Sequence, residues 1–110
     1  MELKDIKQVY FLGAGGIGMS ALVRYFLKEG KVVAGYDRTP SPLTDKLIEE
    51  GAQLHFEENI ELIPACCREP EGTLVIYTPA IPDNHKEWAL FRNGKFVVKK
   101  RAEVLGIITG

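Results

Sequence analysis

The sequence predicts an α/β fold, a single domain with a doubly wound parallel sheet of about five strands in the order 3-2-1-4-5. Strand-like apolar runs alternate with helix-like stretches along all 110 residues. The run Thr73–Tyr77 is β-branched and aromatic without polar alternation, which is typical of a parallel strand buried on both faces. Right-handed crossovers between such strands place the switch point of the sheet beside the first strand.

The composition and net charge of the chain exclude several classes of protein. Hydrophobic residues make up 45% and charged residues 26%, as in an ordinary globular domain. The net charge of −1 gives no electrostatic reason to expect a nucleic-acid or membrane partner. No apolar run approaches the roughly 20 residues of a membrane span, and the N-terminus lacks a secretory signal. We therefore expect a cytoplasmic protein.

The first strand, residues 9–12, runs into a glycine turn and a helix. Gly13, Gly15 and Gly18 have the spacing G-x-G-x-x-G, with an extra glycine at Gly16. In this motif the first glycine permits a tight turn, the second lets the backbone approach a pyrophosphate, and the third lets the helix pack on the strand. The N-terminus of the helix then offers unpaired N–H groups to an anion. The alternative is a glycine-rich corner that binds no ligand.

The helix and the second strand give the glycine motif its context. The helix, predicted over 17–29, is apolar except along the line of Ser20, Arg24 and Lys28, so it is covered on most sides. The second strand ends in Asp37, where an acidic residue accepts hydrogen bonds from ribose hydroxyls. Together these elements indicate a Rossmann-like nucleotide-binding unit. For Asp37 alone, a turn residue or a helix-dipole partner is the alternative.

The alternation continues through the middle of the chain. Ser41 is predicted to cap a second helix with Pro42 in its first turn. The third strand is predicted at 53–56, and residues 60–67 hold one or two helical turns. The buried stripe of the second helix is predicted to be Leu43, Leu47 and Ile48.

The fourth strand is followed by loop 78–82, which is rich in proline and lies at the edge where parallel sheets bind ligands. A stiff connector is the alternative. Asn84 and Glu87 resemble a capping box at the start of the next helix. A fifth strand is predicted at 96–98.

The last part of the chain is predicted to form a helix over 102–105 and the start of another strand over 106–109. The basic run 99–101 lies at the helix start, where cations oppose the helix dipole. It faces an anion or a neighbouring domain, or it is a solvated charge run.

Four residues of metal-binding type give no metal site. His55 and His85 lie 30 positions apart without a nearby cluster at ligand spacing, so we expect surface or satisfied histidines. The adjacent Cys66 and Cys67 are expected to be packing residues rather than a redox pair.

The block Tyr10-Phe11-Leu12-Gly13-Ala14-Gly15-Gly16-Ile17-Gly18-Met19-Ser20-Ala21-Leu22 resembles the opening of the Mur ligases. Similar blocks follow at 35–37, 41–44, 50–52, 77–82 and 101–106. The resemblance covers nearly the whole chain and is closest to the alanine-adding members, with the ligases that attach recycled murein tripeptide as the alternative. Two departures are Thr78-Pro79, where many members carry paired serines, and His85, near a position where Asn-Pro-Glu is common.

The resemblance implies a three-domain cytoplasmic ligase of peptidoglycan biosynthesis, and hence of cell-wall biogenesis, cell shape and cell division. Such an enzyme uses ATP and Mg²⁺ to activate the carboxylate of UDP-N-acetylmuramate, and L-alanine then forms the amide. Residues 1–110 would be the N-terminal UDP-sugar-binding domain. The chain has no G-x-x-x-x-G-K-[ST] loop, so we expect the ATP-binding and C-terminal domains to be absent from it. We accordingly expect no catalytic residue, no metal site and no cofactor in this fragment, and no turnover by it.

The resemblance also implies three groups of binding residues. Those expected at the diphosphate are Gly13, Gly15, Gly16, Ile17, Gly18, Met19 and, through its hydroxyl, Ser20. Those expected at the ribose and uracil are Asp37, Arg38 and Thr39. Those expected on the opposite lip are Thr78, Pro79 and Ala80.

Two other classes share the glycine turn and the acidic residue. An NAD(P)-binding domain of an oxidoreductase would need a second half-sheet or a substrate domain with catalytic groups. A regulatory nucleotide sensor would bind adenine nucleotides and change its oligomeric state. A binding test of NADH against UDP distinguishes these classes.

Overall fold

A computed structural model describes residues 2–109, without the side chains of Ile17, Ile107 and Thr109. The strands are β1 Gln8–Leu12, β2 Val32–Tyr36, β3 Gln53–His55, β4 Thr73–Tyr77 and β5 Val97–Lys100. The helices are α1 Ile17–Lys28, α2 Pro42–Glu49, α3 Lys86–Asn93 and α4 Arg101–Thr109, with short 3-10 turns at Leu3–Asp5, Ile60–Leu62 and Ala65–Arg68. None of the helices within residues 2–109 is both long and apolar enough to cross a membrane.

All strand pairs are parallel, and the order β3-β2-β1-β4-β5 confirms the predicted fold class. The central strand β1 pairs in register with both neighbours, so that Leu12 lies beside Tyr36 on one side and Tyr77 on the other. Three strands therefore end at the same level. The loops that follow β1, β2 and β4 consequently meet at one edge of the sheet, where open α/β sheets bind their ligands.

The sheet is covered on both faces. All five residues of β1 are buried, and successive side chains point to opposite faces because a strand has a period of two. Val9 and Phe11 belong to a cluster with α1, whereas Tyr10 and Leu12 belong to a cluster on the other face. This double burial explains the unbroken apolar runs in the sequence.

The structure corrects two predictions about helices. Residues 106–109 form the end of α4 and not the start of a strand. Val104 is buried and Ile108 packs against the same cluster, an i, i+4 spacing that belongs to one face of a helix. In α2, Leu47 is buried as predicted, but Thr44 is buried beside it, Leu43 is half-buried and Ile48 is exposed.

The predicted Asn84–Glu87 capping box is also wrong. Helix α3 has His85 as its N-cap, and Nδ1 of His85 accepts a hydrogen bond from the backbone N–H of Trp88 at 3.5 Å. Glu87 is the second residue of the helix and turns into the interior, where it is fully buried. Nδ1 of His85 is therefore the cap acceptor, a role that the side-chain oxygen of Ser, Thr, Asp or Asn has in most helices.

The two cysteines are free thiols with different environments. Cys67 is buried in the cluster that contains Tyr10, and Cys66 is exposed. Burial, followed by the neighbouring Cys66, raises the pKa of the Cys67 thiol to about 12. Only the thiolate is nucleophilic, so Cys67 is inert at neutral pH.

We expect one thiol per folded chain to react with Ellman's reagent at pH 8, because roughly one Cys67 in 10⁴ carries a thiolate there. Both thiols should react in denaturant, and Cys66→Ser should abolish the reaction of the folded chain. Equal reaction rates for two thiols in the native state would contradict this assignment.

Candidate functional site

The glycine turn joins β1 to α1 at the carboxyl edge of the sheet. Gly13 has a φ of 99°, a conformation that favours glycine, as predicted for the tight turn. The backbone N–H groups of Gly13 and Ala14 both donate to the carbonyl of Tyr36, at 2.8 and 3.1 Å. A Cβ on Gly13 would collide with the side-chain methyl of Thr78. The turn is thus fixed to β2 on one side and touches the loop after β4 on the other.

The second and third glycines of the motif lie against side chains from other elements. The space that a Cβ on Gly15 would fill is occupied by the carboxylate of Asp37 and by Thr44. A Cβ on Gly18 would meet the guanidinium of Arg101, with Nε at 2.8 Å, and not a strand. Because Gly15 and Gly18 have no side chain, the carboxylate of Asp37 and the guanidinium of Arg101 can lie against the backbone of the turn.

Helix α1 begins with Gly16 as its N-cap. The backbone N–H of Ser20 donates to the carbonyl of Gly16 at 2.8 Å, which is the first turn of the helical pattern. The N–H groups of residues 17–19 precede that bond and have no carbonyl within the helix. They carry the positive end of the helix dipole, so this terminus favours an anion.

Two of the cavities that Thr78 lines at this edge also contain glycines of the motif. The first cavity has a volume of about 270 Å³, and its lining includes residues from each of the three predicted binding groups. Its predicted lining residues are Gly13, Asp37, Arg38, Thr78 and Ala80. Its lining residues that sequence reasoning missed are Tyr36, Glu58, Ile81, Pro82 and His85.

The second cavity, of about 390 Å³, lies at the N-terminus of α1. Its predicted lining residues are Gly16, Gly18, Met19, Thr78 and Pro79. Its other lining residues are Tyr77 and Ala102, which were missed, and Lys100 and Arg101, which belong to the basic run for which an anion was one predicted partner. Thr78 belongs to both cavities, so one ligand lying across it can occupy both.

Not every predicted residue lines a cavity. Gly15 lies beneath Asp37, Ser20 is buried, and Thr39 is exposed in the loop after β2. The side chain of Ile17 lies outside the described part of the chain, so its role rests on its backbone alone.

The basic run before α4 divides between two environments. Nζ of Lys99 lies 3.9 Å from the Glu103 carboxylate, and the backbone N–H of Lys100 donates to that carboxylate at 3.0 Å. Lys100 and Arg101 line the second cavity, next to the positive end of α1. Two cations beside a helix N-terminus repel each other and the dipole unless an anion lies between them. The arrangement thus suits a doubly charged anion such as a diphosphate.

Two of the missed residues, Glu58 and His85, could have been found from their positions after strands. Glu58 follows β3 and His85 follows β4, so both lie in loops at the same carboxyl edge as Asp37. The topology that predicts Asp37 as a ligand contact applies equally to these two residues. Their spacing in the sequence shows no motif, because the loops that carry them differ in length and conformation.

A buried polar network centres on Glu87 of α3. Glu87 accepts hydrogen bonds from the Tyr10 hydroxyl and the backbone N–H of Asn59, and its other close contact is Nε2 of His55 at 2.8 Å. Burial, and after it the charge of Glu87, raises the pKa of Tyr10. The network therefore links a neutral phenol to a carboxylate. His55 is satisfied within the fold, as predicted, whereas His85 is buried without a partner for Nε2.

Tyr36, which lines the first cavity, keeps a neutral phenol. Burial, followed by the charges of Glu58, Glu87 and Asp37, raises the pKa of this phenol. Within residues 2–109, no three His, Cys, Asp or Glu side chains converge in a way that could hold a metal ion.

Comparisons with known proteins show the family of the chain. Residues 8–110 match the family model described as "Mur ligase family, catalytic domain". The chain is 62% identical over 109 residues to a UDP-N-acetylmuramate–L-alanine ligase of Phocaeicola vulgatus, and 60% identical over 109 residues to one of Flavobacterium johnsoniae. Each match covers 99% of this chain and 24% of the relative. The chain therefore spans about a quarter of the length of these relatives.

A solved structure shares the fold. The crystal structure of a UDP-N-acetylmuramate-alanine ligase from Thermotoga maritima superposes with a TM-score of 0.77 at 26% identity. The match covers 89% of this chain and 21% of that chain.

Proposed function

The chain belongs to the Mur ligase family, and from that premise we propose that residues 1–110 are the N-terminal domain of a UDP-N-acetylmuramate–L-alanine ligase that binds the UDP part of the sugar nucleotide. The observation that carries the proposal is the pair of cavities that share Thr78 at the carboxyl edge of the sheet. One cavity has the features of an anion site and the other those of a nucleoside site.

The diphosphate occupies the cavity at α1. Its oxygens accept hydrogen bonds from backbone N–H groups of residues 15–19, as the glycine motif requires. Arg101 and Lys100 supply positive charge from the opposite side, which supports this assignment. A guanidinium binds two phosphate oxygens at once, so Arg101 also fixes the orientation of the ligand.

The nucleoside occupies the cavity beside β2. Asp37 accepts hydrogen bonds from the ribose hydroxyls, and its position against Gly15 brings the ribose next to the diphosphate. Arg38 and Thr39 border the base, while Thr78, Pro79 and Ala80 form the facing lip. The sugar and its lactyl carboxylate then project out of this domain.

We propose that ATP and Mg²⁺, held by a further domain, activate the carboxylate of the bound sugar, and that L-alanine attacks to form an amide in the cytoplasm. The present chain binds and orients one substrate. In an amide-forming assay with UDP-N-acetylmuramate, ATP and L-alanine, it should show no turnover.

Asp37→Ala is expected to weaken UDP binding about tenfold, because the ribose loses an acceptor that carries a full charge. Inorganic pyrophosphate should bind the variant as well as it binds the original chain. Calorimetric titration measures both affinities. Asp45→Ala, which removes an exposed acid from the first turn of α2, is the matched control.

An unchanged UDP affinity in Asp37→Ala would contradict the nucleoside assignment. Chemical shifts on adding UDP-N-acetylmuramate test the whole site, since they should concentrate in 13–20, 37–39 and 78–80. Tighter binding of NADH than of UDP would instead support the oxidoreductase alternative.

A further inference from the structure

His85 is a buried histidine with one satisfied and one unsatisfied ring nitrogen. Its side chain is 3% exposed, and its ring packs edge-on against Tyr36 with the ring centroids 4.6 Å apart. Nδ1 accepts a hydrogen bond from the backbone N–H of Trp88, but Nε2 is buried without a hydrogen-bond partner. Leaving a buried polar atom unpaired costs free energy, so such an atom in a cavity wall requires a reason.

The capping hydrogen bond fixes the protonation of the ring. A nitrogen that accepts a hydrogen bond carries no proton, so the proton of the neutral imidazole must be on Nε2 of His85. The unpaired atom is therefore an N–H donor. Its position is set by the first turn of α3, which makes it a rigid group rather than a mobile one.

Glu58 provides an acceptor beside this donor. Its Oε2 accepts a hydrogen bond from the backbone N–H of Lys86 at 3.0 Å, which anchors the carboxylate. Its Oε1 lies 3.8 Å from Nε2 of His85, beyond hydrogen-bonding distance. Both residues line the cavity that also contains Asp37 and Tyr36. The wall thus holds a donor and an acceptor side by side that do not satisfy each other.

We propose that Glu58 and His85 read the imide edge of uracil. This inference rests on the proposed function, because it assigns the base-recognition groups of the same site. Uracil presents an N3–H donor between two carbonyl acceptors. Oε1 of Glu58 accepts from N3–H, and Nε2–H of His85 donates to one of the flanking carbonyls. The match holds for either carbonyl, since both stand next to N3. Nε2 is closed off from water, so this hydrogen bond requires the lining to open when the base enters.

The pair also explains selection against cytosine. In cytosine, N3 is an acceptor and carries no proton. A carboxylate opposite that position would face a lone pair, leaving both acceptors without a hydrogen. Glu58 therefore discriminates between the bases, and His85 adds affinity for the one that fits.

Two substitutions at His85 separate its cap from its donor. His85→Asn keeps an N-cap acceptor but has no atom at the position of Nε2. His85→Gln keeps a donor at that distance from the backbone but loses the cap acceptor. We expect His85→Asn to weaken UDP binding at least about tenfold and His85→Gln to stay within about threefold of the original chain. Glu58→Gln should reduce the preference for UDP over CDP.

Inorganic pyrophosphate separates failure of this proposal from failure of the proposed function. It lacks a base, so its affinity should be the same in the original chain and in all three variants. If the original chain binds neither UDP nor pyrophosphate, the proposed function and this inference both fall. If it binds UDP, but His85→Asn binds UDP equally well or loses pyrophosphate in the same proportion, only the base-reading role is overturned.

Discussion

Glu87→Ala is expected to destabilise the folded chain by about 3 to 5 kcal/mol, as removal of one partner from a buried charged network does elsewhere. The Tyr10 hydroxyl, Nε2 of His55 and the backbone N–H of Asn59 would all lose their acceptor in the interior. These groups come from β1, β3 and the segment after it, so one side chain of α3 connects three separate parts of the fold. Urea unfolding followed by circular dichroism measures the effect.

The conservative change at the same position tests whether the charge or the hydrogen bonds matter. Glu87→Gln keeps one oxygen acceptor and should cost about 1 to 2 kcal/mol. Glu49→Ala removes an exposed glutamate of α2 and should stay within about 0.5 kcal/mol of the original chain. A loss below about 1 kcal/mol for Glu87→Ala would show that the network adds little to stability.

Gly13→Ala is expected to cost about 3 kcal/mol, from backbone strain and from a steric clash. At a φ of 99° a Cβ is strained by itself, and here it would also collide with the Thr78 methyl group. Because Gly13 and Thr78 both line the first cavity, the same change should weaken UDP binding. Thermal unfolding and UDP titration of one sample measure both effects.

Two controls divide this loss into its parts. Thr78→Ser removes the methyl that the new Cβ would meet, so the double variant Gly13→Ala with Thr78→Ser should recover the steric part only. Gly30→Ala lies at a φ of 77° with nothing within 4 Å of its Cβ, so it should show strain alone, about 1 kcal/mol. If the double variant is no more stable than Gly13→Ala, the contact with Thr78 is not the cause.

Much of the fold follows from local patterns in the sequence. The β-branched and aromatic run Thr73–Tyr77, without polar alternation, and the glycine turn after the first strand predict a parallel sheet and its switch point. Residues 106–109 were wrongly predicted as a strand, because a short apolar run does not show whether its period is that of a helix or of a strand. The start of α3 was also predicted wrongly, because His85 caps the helix and histidine is not a common capping residue.

The candidate site was less accessible to sequence reasoning. The glycine spacing and Asp37 point to the correct edge, but the sequence gives no sign that Asp37 fills the space at Gly15 or that Arg101 covers Gly18. These contacts join residues more than 20 and more than 80 positions apart, and they depend on how loops pack. The proximity of Glu58 and His85 could not be predicted either, because only the folded chain brings these two residues together.

The outermost strands of this sheet also govern how the domain behaves at high concentration. An uncovered edge offers a row of unpaired backbone groups on which a second molecule can add a strand. Here β3 has only three residues, and β5 ends in Lys99 and Lys100. A very short edge strand and a charged one both discourage such addition by a second molecule.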